Sequence, residues 1–257
     1  MKKKKFAYFL LFITCSLFLS ECKKDNLCDC FKSTGGDIRS ERNTNPFHYI
    51  WLESKIDLVL TQDTIEHVAV VAGGHLIDKI ETTVSHDTLF IRNHNICNFV
   101  RSYGRHITAY VSVKFLREVL YWGAGDVSCT NSLLGLSGND TIIGFESFEG
   151  SGNVVLNIKA KASNLAIHTG PANIQLTGTV PMIYLYNFGN GVIHTDDVSA
   201  DKIYLDCDCT GSNYIRSSSV QNSLLNASIL GTGNVYCHGI PGTLIQNDSG
   251  GGKLILE

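Results

Sequence analysis

The chain has 257 residues and a formal net charge of −3, and its lysines and arginines are spread along it instead of gathering in a stripe with aromatics. That distribution excludes a nucleic-acid-binding face. No run after residue 22 carries the apolar period of a helix, which leaves a β-rich fold.

The chain opens with Lys2 to Lys5 and an apolar run from Phe6 to Leu19. That run is shorter than the roughly 20 residues of a membrane span and suits the core of an export signal. Leu19-Ser20-Glu21-Cys22 then resembles a bacterial lipoprotein cleavage site, with Glu21 where Gly, Ala or Ser is usual. Residues 1–22 are predicted to be a signal peptide, and Cys22 the lipidated first residue of an exported, membrane-anchored chain. The alternative is a soluble secreted protein cut near Ser20. Residues 23–45 are polar and contain Gly35-Gly36, which predicts a flexible tether. Cys28-x-Cys30 in this tether supplies too few ligands for a metal, so a disulfide partner elsewhere is expected. Residues 29–35 also resemble the segment that follows the anchor in some Bacteroidetes lipoproteins.

Residues 46–257 read as one folding unit. Its first part, 46–122, is rich in alternating or apolar runs at residues 56–60, 67–71, 79–84, 88–91 and 107–113. These predict strands, broken at Gly73-Gly74, His86-Asp87 and residues 102–104. Residues 116–122 lead without a linker into the second part, 123–257. The first part is expected to start or cap whatever the second part builds, because a stack of strands must cover its exposed end.

In the second part a short window recurs: small residues followed by an aliphatic. It reads Gly123-Ala-Gly-Asp-Val127, Gly150-Ser-Gly-Asn-Val154, Gly170-Pro-Ala-Asn-Ile174 and Phe188-Gly-Asn-Gly-Val192. It continues as Gly211-Ser-Asn-Tyr-Ile215, Gly231-Thr-Gly-Asn-Val235 and Gly250-Gly-Gly-Lys-Leu254. The steps between aliphatics are 27, 20, 18, 23, 20 and 19 residues, and the wide first step holds a degenerate copy at residues 138–142. Each window is followed by alternating residues, as in Val154-Val-Leu-Asn-Ile158, and about ten residues later by a second run such as Ile183-Tyr-Leu185. A period near 20 with two short strands per repeat predicts a β-helix or β-solenoid of parallel strands, a rod roughly 30 Å long. The competing architecture is an antiparallel sandwich. The window glycines are expected to reach positive φ at the corners, and their Asn residues to stack as a ladder.

The serial order of these segments carries a resemblance. A strand-rich half with His86-Asp-Thr-Leu-Phe-Ile91, then Ile107-Thr-Ala-Tyr-Val111, then Leu116-x-x-Val-Leu120 precedes the windows, and Tyr236-Cys-His-Gly-Ile-Pro241 closes the series. Over about residues 46–257 this is similar to the Bacteroidetes family described as putative auto-transporter adhesin, head GIN domain. The resemblance implies an all-β, right-handed, β-helix-like solenoid and an adhesive role. It transfers no binding or catalytic residue.

No catalytic set is visible. Nine His residues (48, 67, 75, 86, 94, 106, 168, 194 and 238) are scattered, and carboxylates are sparse in the repeats. Asp196, Asp197, Asp201, Asp206 and Asp208 could in principle hold Ca²⁺, but they lack a compact ligand loop and read as a solvated edge. Cys129 and Cys237 fall on the face of the window aliphatics and read as small core residues, with disulfides the next choice. Cys207 and Cys209 lack a nearby His to complete a metal site. The chain is thus expected to be a non-enzymatic, cell-envelope lipoprotein for surface adhesion or scaffolding, with no cofactor and no metal. Its expected partners are the membrane and a host or matrix protein or glycan. The alternative is a glycan-active enzyme, a polysaccharide lyase or glycosidase, on a β-helix.

Overall fold

The computed structural model describes residues 33–96, 105–135 and 142–257. The leader with Cys22, the Cys28-x-Cys30 pair, Cys97 and most of the degenerate window lie outside the described residues.

The first part of the chain forms β1 (Asp37–Arg42), β2 (Tyr49–Ser54), β3 (Asp57–Gln62), β4 (His67–Gly73), β5 (Ile80–Ser85), β6 (Thr88–Asn93), β7 (Thr108–Val113) and β8 (Glu118–Gly123). Next come β9 (Val127–Cys129), β10 (Leu133–Leu134), β11 (Ile142–Phe148), β12 (Asn153–Lys159), β13 (Ala162–Thr169), β14 (Asn173–Thr179) and β15 (Met182–Asn187). The last are β16 (Val192–His194), β17 (Lys202–Cys207), β18 (Asn213–Arg216), β19 (Leu224–Ile229), β20 (Val235–His238), β21 (Thr243–Asp248) and β22 (Leu254–Leu256). They build two sheets around one core. The first sheet runs β1-β4-β7-β3-β9-β12-β14-β16-β18-β20-β22, with β10 beside β12; the second runs β21-β19-β17-β15-β13-β11-β8-β2-β6-β5.

From β11 onward the chain alternates between the sheets. Each strand pairs in parallel with the strand one turn earlier, as Asn153 with Asn173 and Phe145 with Leu165. This is the stacked coil that the recurrence predicts, and it is not a sandwich of antiparallel strands. Alternation supplies the driving force: one face of each strand is apolar and meets the same face of the next coil. In the second sheet Leu89, Ile50, Val119, Phe145, Leu165, Leu185, Leu205 and Ala227 form one inward column. Each is buried, and each buried aliphatic of this size contributes about 1.5–3 kcal/mol.

In the first sheet the inward column is Val127, Val154, Ile174, Ile193, Asn213, Val235 and Leu254. Two members differ from the sequence reading. Val192 pairs with Asn173 at the corner, and Ile193 takes the core position beside Ile174. A slip of one residue exchanges the faces of a strand, and the fully buried Ile193 wins over the half-buried Val192. In the next coil Ile215 is fully buried as expected, but two residues on, beside Cys237, and the position level with Val235 falls on Asn213. Asn213 is buried there, accepting a bond from Asn187 Nδ2 at 2.9 Å and lying 3.4 Å from both sulfurs of a Cys207–Cys209 disulfide.

The window glycines have a different cause from the expected one. Among them only Gly170 has a positive φ, of 92°. The others are glycine because the coils touch. A Cβ would lie 2.0 Å from Ile56 O at Gly125, 2.1 Å from Gly125 O at Gly152 and 1.8 Å from Ala172 O at Gly191. The column continues with 2.0 Å to Gly191 O at Gly211 and 2.0 Å to Gly211 O at Gly233. The Asn/Asp ladder does form beside it. Asp57 Oδ1 accepts from Asp126 N at 2.9 Å, Asp126 Oδ1 from Asn153 N at 2.9 Å, and Asn234 Oδ1 from Lys253 N at 3.0 Å.

The strand-rich start closes one end of the stack out of chain order. The coil of β2 and β3 lies between that of β6 and β7 and that of β8 and β9. Beyond β6 and β7 the direction reverses: β4 pairs antiparallel with β7, β1 with β4, and β5 with β6. Asp37–Arg42, within the segment expected to be a tether, supplies β1 of this cover. His86 and Asp87, both at positive φ, make the tight turn between β5 and β6.

Candidate functional site

The outer face of the second sheet carries the densest set of unusual side chains. Because strands alternate, the residues between the core positions of β2, β6, β8, β11 and β13 all point outward. Trp51, Trp122, Phe148 and His168 stack there as a ladder. Successive ring centroids are 3.9, 4.4 and 4.2 Å apart, with planes within 13° of parallel. At its upper end Phe90 tilts against Trp51, and the Arg92 guanidinium lies 4.5 Å from the Phe90 centroid. Arg92 also pairs with Glu53 at 3.2 Å, and Glu53 accepts from the Trp51 indole. Nearby, the Thr83 hydroxyl and His94 hold the Glu81 carboxyl below its usual range. The rings cover each other's faces, so the ladder shows mostly edges to solvent.

Beside the ladder runs the row Tyr49, Glu118, Gly144, Asn164. The missing side chain at Gly144 decides what happens there. A Cβ would stand 2.7 Å from Glu118 Oε1, so the glycine lets the Glu118 carboxyl lie across the strand toward Glu146. Burial, and then the neighbouring Glu146 carboxyl through its charge and hydrogen bonding, pushes Glu118 up to about 7. Glu146 is held in turn by Asn164 Nδ2 at 3.2 Å and His168 Nε2 at 3.0 Å. The result is an open recess of about 200 Å³ lined by Tyr49, Arg117, Glu118, Ile142, Gly144 and Asn164. Asn164 Oδ1 is buried with no hydrogen-bond partner.

A second, shorter ladder lies on the outer face of the first sheet, where His194, Tyr214 and Tyr236 stack at 4.5 and 5.1 Å. The acidic residues singled out in the sequence are spread around it and beyond. Asp196 pairs with His194 at 3.4 Å, Asp197 accepts from Gln175, Asp201 accepts from Ser218, and Asp206 and Asp208 are exposed. Among the described residues no three His, Cys, Asp or Glu side chains converge to hold a metal. Cys129 and Cys237 are free thiols on the core side, pushed up by burial. Cys207 and Cys209 are bonded to each other and buried, so they offer no ligand. Asn153, Asn173 and Asn234 sit at the corners, away from the recess.

The residues that make the site were missed in the sequence. Glu118 and Glu146 are separated by a whole coil, and only the inter-coil register brings them together. The available signal was the set of aromatics at outward positions of successive strands, Trp51, Trp122 and Phe148.

A family model described as putative auto-transporter adhesin, head GIN domain, matches residues 46–241. Among solved structures, a putative adhesin from Bacteroides fragilis is similar at 18% identity and a TM-score of 0.75, covering 86% of this chain and 97% of that one. A putative lipid binding protein from Parabacteroides distasonis is similar at 19% identity and a TM-score of 0.61, covering 87% and 98%. A putative adhesin from Parabacteroides merdae follows at 17% identity and a TM-score of 0.55, covering 87% and 98%. At these identities the likeness is one of fold. No curated protein matches.

Proposed function

We propose, for a chain that belongs to the family of putative auto-transporter adhesins with a head GIN domain, a non-enzymatic role as an adhesion or scaffold module of the cell envelope. In this reading Cys22 carries the lipid, residues following it act as a spacer, and the solenoid is displayed at the outer membrane or cell surface. The observation that carries the proposal is the construction of the outer faces. Side chains recur rung by rung on a backbone locked by glycine contacts, which suits an extended contact surface.

One observation favours the glycan-active alternative: a carboxyl pair with one member pushed up to about 7 beside a recess. Its geometry argues against hydrolysis. Glycosidases hold their carboxyls about 5–5.5 Å apart or roughly 6.5–9.5 Å apart to admit a nucleophile or water. Here Glu146 is already engaged by Asn164 Nδ2 at 3.2 Å and His168 Nε2 at 3.0 Å, the setting of a held carboxylate and not of one facing an attacking water.

The test has two parts. Cys22→Ala should abolish fatty-acid labelling and release the protein from the membrane fraction. Cells carrying the wild-type chain should bind immobilised matrix proteins or glycans, lose that binding after surface proteolysis, and release no cleaved product. Unlabelled wild-type protein, or product accumulating with time, refutes the corresponding half.

A further inference from the structure

The recess over Gly144 has no role in holding the fold together: the strands beneath it are paired and the core lies on the other side. Its size is the first constraint. At about 200 Å³ it falls below the roughly 300–1,000 Å³ of sites for drug-sized ligands. It admits one small ring and excludes a nucleotide or a folded lipid tail.

Its chemistry is the second constraint. The Glu118 carboxyl, pushed up to about 7, can donate as well as accept near neutral pH. The Asn164 amide and the Tyr49 phenol do the same. An anionic ligand meets the Glu146 carboxylate. A strongly cationic ligand meets Arg117 at the same wall and a Glu118 carboxyl whose charge is disfavoured by burial. An apolar ligand would leave the polar wall unpaired. What remains is a neutral molecule with adjacent hydroxyls and one apolar face, for which Tyr49 supplies a ring.

The geometry points to the Gly144 recess as a binding site for one neutral pyranose residue of a glycan, with Tyr49 against the sugar face and Glu118 and Asn164 on its hydroxyls. This rests on the adhesion reading above and names the class of ligand for it. The open mouth of the recess lets a chain continue along the sheet, where Glu53, Arg92 and His168 offer further hydrogen bonds.

The experiment is saturation-transfer NMR at pH 7 on the full-length protein. The probes are the methyl glycosides of glucose, galactose, mannose, fucose and N-acetylglucosamine, with tetramethylammonium as a cationic control. At least one glycoside should saturate in the roughly millimolar range expected of a single ring. Tyr49→Ala and Gly144→Leu should each weaken it by about tenfold or more. Asn226→Ala, farther along the same sheet, should leave it unchanged. Circular dichroism establishes that each variant is folded, and Glu118→Ala, which removes the carboxyl assigned to the sugar hydroxyls and should also weaken saturation by about tenfold, covers the case in which Gly144→Leu does not fold. Saturation by no glycoside, saturation unchanged in folded Tyr49→Ala and Glu118→Ala, or a preference for tetramethylammonium overturns the inference. If those results come with retained binding to matrix proteins, the recess assignment fails and the adhesion reading stands; if no matrix protein or glycan polymer binds either, both fail.

Discussion

Gly191→Ala isolates the contact that makes these coils stack. Gly191 does not have a positive φ, so alanine brings no backbone penalty of its own. Its Cβ would lie 1.8 Å from Ala172 O, against 3.4–4 Å for an ordinary contact. The coils must therefore separate locally by about 1.6 Å, a third of the roughly 4.8 Å spacing between strands. Such an opening breaks the Asn190 N to Gly170 O bond of 3.1 Å and strains the pairing of Asn173 with Val192. Net loss of one or two backbone bonds at about 1 kcal/mol each, plus overpacking of about 1–3 kcal/mol, gives about 3 kcal/mol. That is a large part of the roughly 5–15 kcal/mol a domain possesses. Gly251→Ala is the control, since its Cβ would meet Thr232 Cγ2 at 3.5 Å; it should change stability by less than about 0.5 kcal/mol. Urea unfolding followed by near-ultraviolet circular dichroism measures both. Equal midpoints for the two variants would refute the steric account of the windows.

Glu118 gives a pH dependence. Its folded value, about 7, is above that of a free carboxyl, so the folded chain holds a proton that the unfolded chain has lost. Stability should fall as pH rises from the ordinary carboxylate range to about 7 and then level off. Glu118→Gln should flatten that slope and raise the melting temperature at pH 8; an unchanged slope counts against the raised Glu118 carboxyl. Asp126→Ala removes the acceptor of Asn153 N and should cost about 0.5–1.5 kcal/mol in urea unfolding, whereas a neutral result would mean water replaces the ladder. Trp122 stacks on Trp51 and Phe148, so Trp122→Ala should lose about 1–3 kcal/mol and the coupled tryptophan signal in circular dichroism. Retention of that signal would show that the rings do not stack in solution. Leu156→Asp places a charge at a core position only 2% exposed and should prevent folding; a soluble, cooperatively melting variant would contradict the inward column.

The architecture was legible because it repeats. Alternation sets which residues face the core, and recurrence near 20 residues sets which strands are neighbours, so Val154, Ile174 and Val235 could be placed without a structure. Legibility ended where the repeat is imperfect. Phe188-Gly-Asn-Gly-Val192 contains two candidate glycines and runs straight into Ile193, and the sequence does not say which of the two adjacent aliphatics faces inward. The structure chooses Ile193 because Gly191, not Gly189, lies on the Ala172 carbonyl in the corner column. The next coil then carries Asn213 at the core position, and its amide is satisfied by Asn187. Correct recognition of the windows thus coexisted with a wrong reason for their glycines: small residues at a corner look the same in sequence whether they turn the chain or let two backbones touch.

The site was harder for a related reason. Its residues come from β2, β8, β11 and β13, and the part that includes β2 and β8 enters the stack out of order. A repeat period relates β11 to β13, but nothing periodic places Tyr49 beside Glu118, since β2 joins β8 only after β4 to β7 have gone to close the end. The same detour distinguishes this face from the rest of the solenoid. Where coils follow each other regularly, outward rows repeat similar side chains, as Tyr184 on Tyr204 or Tyr214 on Tyr236. At the junction, strands of unlike sequence are neighbours, and a tyrosine, a glutamate, a glycine and an asparagine share one row. A periodic surface offers many equivalent weak contacts; at the junction, unlike side chains line a recess that is not repeated from coil to coil.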